Sequence, residues 1–126
     1  MSWDEIVRNN LIGTGAVTKA AICGADGQIY AKSDNFQITA DEAKTASSGF
    51  NNPDALRASG LKFEGVKYFV LQVDNERVIG KKQSHGFFIY KTNTTMIISI
   101  YEDNCQPEQC SKVTGALADY FKNTGY

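Results

Sequence analysis

One histidine, one tryptophan, two prolines and three cysteines are all that 126 residues contain of these types, and each shortage closes off a class of protein. A single histidine, His85, with Cys105 and Cys110 held in one short stretch, cannot supply a four-ligand zinc site, so no metal is expected. Cys23, Cys105 and Cys110 are an odd set, which suits a reducing compartment better than a secreted disulfide scaffold, and free thiols follow. Catalysis lacks its parts: His85 has no nucleophile or carboxylate partner evident nearby, and no phosphate-binding loop occurs. The expectation is a protein that is not an enzyme and carries no cofactor, with His85 a turn residue. Lys+Arg (13) and Asp+Glu (14) nearly cancel, which excludes a strongly basic nucleic-acid binder. No apolar run reaches membrane-spanning length, and Asp4, Glu5 and Arg8 interrupt the stretch where a signal peptide would sit, so a cytoplasmic protein is expected.

What is present is a core. Hydrophobic residues make up 42% of the chain, enough for one domain over residues 1–126. "SWDE" reads as a capping box that opens a helix at Ser2, with Trp3, Ile6, Val7 and Asn10 at helical spacing and Gly13 and Gly15 to stop it. "AVTKAAIC" and "QIYAKS" flank "GADG" as a hairpin. "ITADEA" repeats the capping pattern with Thr39 and Glu42 ahead of a short helix to Gly49, and "NNPD" reads as a turn. From Leu61 the chain becomes rich in Val, Ile, Phe and Tyr, broken by "DNE", "QSHG" and "TNT", as in an antiparallel meander. Pro107 starts a last helix with Val113, Leu117, Tyr120 and Phe121 on one stripe.

This order predicts an α+β fold: a central antiparallel sheet of about six or seven strands, the N- and C-terminal helices side by side on one face, a short helix on the other. The terminal helices would bring Trp3 beside Tyr120 and Tyr126. With Tyr30 these aromatics form either an ordinary helix seam or an exposed groove. A groove of this kind suits proline-rich ligands, which arrive as a preformed extended helix and offer ring faces and free carbonyls to indole and phenol donors.

Seven strings, in order and in register, resemble the profilin family, particularly its shorter members from amoebae, fungi and plants. They are "MSW", "NNLIGTGAVTKAAICGADG", "FNNPDALRASGLKFEGVKYF", "VIGKKQ", "YKTNTTMIISIYED", "QPEQC" and "ALADYFKNTGY". The resemblance implies a monomeric, cytoskeleton-associated protein that binds monomeric actin 1:1, regulates its polymerisation, and has a separate site for proline-rich proteins. Carried over by position, the polyproline site falls on Trp3, Ile6, Asn9, Tyr30, Tyr120 and Tyr126, with Ile6 standing where many members have an aromatic. The actin face, expected on the opposite side, falls on Lys67, Leu71, Lys81, Lys82, Thr92, Gln109 and Lys112. Four of these are lysines expected to project from one surface toward acidic actin. Phosphoinositide lipids would contact Lys81, Lys82 and Lys91. The competing reading is a PAS-like small-molecule sensor, since helices on such a sheet can enclose a pocket.

Overall fold

A computed structural model describes residues 2–126, and its centre is a strand covered on both sides. The strands are β1 (Lys19–Gly24), β2 (Ile29–Lys32), β3 (Leu61–Phe63), β4 (Val66–Val73), β5 (Arg77–Lys82), β6 (His85–Lys91) and β7 (Thr95–Tyr101). They form one antiparallel sheet in the order β2-β1-β7-β6-β5-β4-β3. Every residue of β7 is buried, as expected of a near-continuous apolar strand with helices on both faces. Met96, Ile98 and Ile100 point into one core with Phe36, Phe63 and Phe87. Ile97 and Tyr101 point into the other with Leu11, Leu117 and Phe121.

The helices divide between those cores. On one face lie α1 (Trp3–Ile6) and α4 (Pro107–Asn123); on the other lie α2 (Ala40–Gly49) and α3 (Pro53–Ser59). Ser2 Oγ accepts from the Glu5 amide at 3.1 Å, so α1 starts where the capping pattern placed it. The helix then widens into a π turn over Val7–Leu11 and tightens over Ile12–Thr14 before Gly15, at φ 79°, ends it. At α2 the full capping box forms: Thr39 Oγ1 accepts from the Glu42 amide and Glu42 accepts from that of Thr39, both at 3.1 Å. The expected turn at "NNPD" is instead the entry to α3, because Pro53 occupies the first helical turn, where no amide hydrogen is needed. "LKFEGVKYFVLQVD" is likewise two strands, folded at Glu64 and Gly65, whose φ values are 58° and 75°. His85, expected in a turn, pairs with Lys82 as the first residue of β6.

The β3–β4 turn is tied down from several sides. Glu42 accepts from the amides of Glu64 and Gly65, both at 2.9 Å. Glu64 accepts from Lys19 Nζ at 2.7 Å and from the Gln37 amide at 2.9 Å. The far edge of the sheet thus meets β1 through Lys19, which means the sheet is curled. Burial pushes the Glu64 carboxyl up, but the hydrogen bonds from Lys19 and Gln37 outweigh it, and the net shift is downward. Burial likewise pulls Lys19 down, and its bonds to Glu64 and Glu102 reverse the sign.

A carboxyl lowered on folding stabilises the fold above its unfolded value and ceases to do so as pH falls through the folded one. Lys19, raised on folding, stabilises below its unfolded value and loses that effect only at strongly alkaline pH. Glu64→Gln should therefore lower the urea midpoint at pH 7, and the gap from the parent should close as pH falls through the lowered carboxyl value. A gap that is unchanged at acid pH would remove this pair from the acid response.

Candidate functional site

Four rings converge where the two ends of the chain meet. Trp3 lies 5.4 Å from Tyr30, tilted by 34°, and meets Phe121 and Tyr126 edge-on at 5.6 and 5.5 Å. Tyr120 packs on Phe121 at 6.2 Å rather than on the indole. Tyr30, Tyr120 and Tyr126 are 42%, 51% and 49% exposed, so this is an open aromatic surface, not a closed seam.

Two local devices build it. In β2, Ala31 pairs with Ile22 and Ile29 with Cys23, which leaves Tyr30 as the extra residue of a bulge. A bulge re-aims a side chain, and here Tyr30 faces the indole. At the other end, the Tyr126 main-chain oxygen accepts from the Thr94 amide and from the hydroxyls of Thr92 and Thr94, at 3.0 and 2.8 Å for the last two. Its amide returns to the Phe121 carbonyl at 2.8 Å. The last residues are thereby strapped beneath the β6–β7 turn, with the Tyr126 ring against Trp3.

Two bays run along the seam between the terminal helices. The first, about 290 Å³, is lined by Trp3, Ile6, Tyr120, Phe121, Thr124 and Tyr126. The second, about 550 Å³, shares Ile6 and Tyr120 and continues between Asn10 and Thr14 on one wall and Val113, Ala116 and Leu117 on the other. Asn9 is exposed and lines neither bay. Asn10, four residues after Ile6 and within the π turn, lines the second bay. Phe121 and Thr124 were not foreseen as lining residues; the strap at Tyr126 brings the helix end over the groove.

A second surface lies on the same face of the sheet, across α4, rather than on the opposite side as expected. The helix packs mainly on β6 and β7, while outward side chains of β4 and the end of β5 stand exposed beyond it. There Phe69 is 69% and Leu71 62% exposed. Val70 pairs with Gly80 and Gln72 with Ile79, so Leu71 is the extra residue of another bulge. Lys81 stands directly opposite Phe69, and Lys67, two residues from Phe69, shares its side of the strand. Next to α4, Phe88, Pro107, Glu108, Ser111 and Lys112 line a shallow hollow of about 410 Å³. Gln109 is exposed on the opening turns of the same helix.

The remaining expected contacts separate. Strand alternation turns Lys82 away from Lys81, so the lysines do not project from one surface. Thr92 is only 5% exposed, with its hydroxyl committed to Tyr126 and Thr95, and it cannot serve as a surface contact. Lys91 lies over the Phe50 ring at 5.5 Å on the α2 side. It stands a β6 length from Lys82, roughly 20 Å at ~3.3 Å per residue. Lys81, Lys82 and Lys91 therefore form no common patch for a lipid head group. Phe69, absent from the expected set, was legible in "VKYFV": if Tyr68 points inward, Phe69 must point out.

The thiols are free, and burial pushes Cys23 and Cys110 up to about 12, so both stay protonated. Ser84 and His85 hydrogen-bond Asp103 and hold its carboxyl below the usual range. Among the described residues no group of His, Cys, Asp and Glu is arranged to hold a metal, and no helix is long and apolar enough to cross a membrane.

A curled seven-stranded sheet, terminal helices sharing one face and aromatics gathered at their meeting define an α+β domain whose exposed features are surfaces, not a buried pocket. The chain belongs to the profilin family, whose profile matches residues 1–126. It is 58% identical to profilin-3 of Caenorhabditis elegans over 126 residues, all of both chains. It superposes on profilin IA of Acanthamoeba castellanii with a TM-score of 0.96 at 42% identity, covering 99% of this chain and all of the other. A more distant match in fold is LokiProfilin2, solved in complex with rabbit actin, at a TM-score of 0.77 and 20% identity over 94% of each chain. Family membership replaces the PAS-like alternative.

The strap is directly testable. Thr92→Val removes a hydroxyl that serves both Tyr126 and the Thr95 amide, so it should cost about 1–3 kcal/mol of stability. Loosening Tyr126 should also shift Trp3 emission to longer wavelength. Unchanged emission together with unchanged stability would mean that the strap does not hold the groove.

Proposed function

We propose that this protein binds monomeric actin 1:1 through the bare face of β4 and β5 with the opening turns of α4, and proline-rich segments through the aromatic groove, so regulating actin polymerisation in the cytoplasm. The observation that carries the reading is the pairing of an apolar strip, Phe69 and Leu71, with Lys67, Lys81 and Lys112 on one side of α4, while the aromatic groove occupies the other. Two exposed large apolar side chains beside cations are features of a protein interface, where apolar anchors supply affinity and rim charges guide encounter. A profilin of the same fold, LokiProfilin2, has been solved on rabbit actin, which supports actin as the partner. The groove, with its exposed rings, indole and phenol donors, suits a polyproline II segment, which loses little entropy on binding. Any effect on nucleotide exchange by actin would be a population shift in the partner rather than bond chemistry.

Phe69→Asp should weaken actin binding at least tenfold and leave proline decamer binding unchanged, measured by titration against each ligand. An apolar anchor commonly accounts for about 2 kcal/mol, close to thirtyfold. Actin affinity that survives this change would overturn the assignment of the surface. Lys81→Glu should slow association at low salt and flatten its dependence on salt, whereas Lys82→Glu, on the other side of β5, should do neither.

Trp3→Ala should abolish proline decamer binding with actin affinity retained. Trp3 emission should change through a decamer titration on the parent protein. Flat emission through a titration that calorimetry shows to saturate would take the indole out of the site.

A further inference from the structure

An open cleft of about 460 Å³ lies on the flank of α1 turned away from α4, and neither proposed surface uses it. One wall is the first helical segment, with Asp4, Val7, Arg8 and Ile12; the other is the chain leaving β2, with Lys32 and Asp34. The walls are tied together at two points. Tyr30 packs on Trp3 at 5.4 Å, and Asn35 Nδ2 donates to the Thr18 carbonyl, just past the helix, at 3.0 Å.

The π turn gives the cleft its floor. Five residues apart, Val7 and Ile12 would stand about 140° from one another around an α-helix. Instead the Ile12 amide donates to the Val7 carbonyl, the five-residue bond of a π turn, and both residues line the cleft. Val7 is buried and Ile12 half-buried, so the floor is apolar. Above it each wall carries one acid and one base, Asp4 with Arg8 and Asp34 with Lys32, all four exposed. Among the described residues none of the four is in an ion pair, although Asp4 and Arg8 lie one helical turn apart. The lining is therefore net neutral. A polyanion would meet Asp4 and Asp34 together with the two bases, whereas a ligand carrying both signs is matched.

We propose that this cleft binds a small zwitterion of the α-amino acid class with an aliphatic side chain. Arg8 and Lys32, whose long stems reach over the cleft, hold the carboxylate. Asp34, short and kept at its wall, accepts from the ammonium, and Asp4 balances the second base. The ligand's side chain lies on Val7 and Ile12. The volume is within the ~300–1,000 Å³ of small-ligand sites. The cleft is separate from the aromatic groove and from the β4–β5 surface, so this site stands or falls independently of both.

Calorimetry on the whole chain tests it with four probes at millimolar concentration: L-leucine, leucinamide, 4-methylpentanoate and inositol trisphosphate. L-leucine should bind. Leucinamide, which lacks the carboxylate, and 4-methylpentanoate, which lacks the ammonium, should each bind at least tenfold more weakly, the loss expected from one charge-assisted contact. Arg8→Gln and Asp34→Asn change exposed side chains; each should weaken leucine binding at least tenfold with Trp3 emission unchanged, which reports an intact fold. No saturable heat with L-leucine would overturn the proposal. So would leucinamide or 4-methylpentanoate binding as tightly as leucine on the parent protein, since recognition would then not need both charges. Leucine affinity that survives both substitutions would place the ligand elsewhere. Inositol trisphosphate that binds more tightly than leucine and is lost in Arg8→Gln would make the cleft an anion site and overturn the zwitterion assignment.

Discussion

Burial of β7 on both faces is the constraint from which the rest of the architecture follows. "TMIISIY" has no polar face to turn toward water, so helices must cover it on both sides. The chain meets that demand with its two ends on one face and its middle on the other. Midway along β7 the buried Ser99 is matched from above by Thr114 of α4 at 2.8 Å. A buried hydroxyl without a partner costs about 1–3 kcal/mol, so this pair sets where α4 can sit along the sheet. Placing α4 there leaves outward side chains of β4 and the end of β5 exposed beyond it, and it brings Phe121 and Tyr126 to Trp3.

Both exposed surfaces depend on the same irregularity. Alternation already puts Phe69 and Leu71 on one side of β4; the bulge frees the second of them from a direct partner across the ladder. In β2 the added residue is Tyr30, which faces the indole, and in β4 it is Leu71, which joins Phe69. The extra residue leaves the ladder locally unpaired, a cost set against the packing on either side. Both candidate binding surfaces thus lie beside a bulge, where the local twist increases and the added residue stands clear of the ladder.

These bulges also explain which parts of the site were legible beforehand. Capping residues, the Asp26-Gly27 hairpin and Pro107 are local signals, and the elements they mark lie where expected. The meeting of Trp3 with Tyr126 could be inferred because two apolar helical stripes on one sheet face must lie side by side. Alternation was legible too, and applying it strictly separates Lys81 from Lys82 and turns Phe69 outward. The strap from Thr92 to Tyr126 was not legible, since a threonine in "KTNTT" carries no mark of what it bonds 34 residues away. That Asn10 lines a bay was not legible either, since it lies in a π turn, one hydrogen-bond register away from an ordinary helix.

The helix α4 has a groove on one flank and the bare strands on the other, so the independence of the two surfaces depends on its rigidity. It is fixed to the sheet at several points besides Ser99: Tyr90 bonds Ser111 at 2.8 Å, and Lys122 reaches Glu76 in the β4–β5 turn at 3.5 Å. The strap holds its end. The buried residues Cys110, Thr114, Leu117, Ala118 and Phe121 run its full length. A helix anchored at start, middle and end against a close-packed core has one seat, not two, and displacing it would open cavities beneath. Coupling between sites needs an element with two arrangements. With α4 held in one, a ligand in the groove should leave the Phe69 face unaltered, so the proposed actin and proline-rich ligands are expected to bind independently.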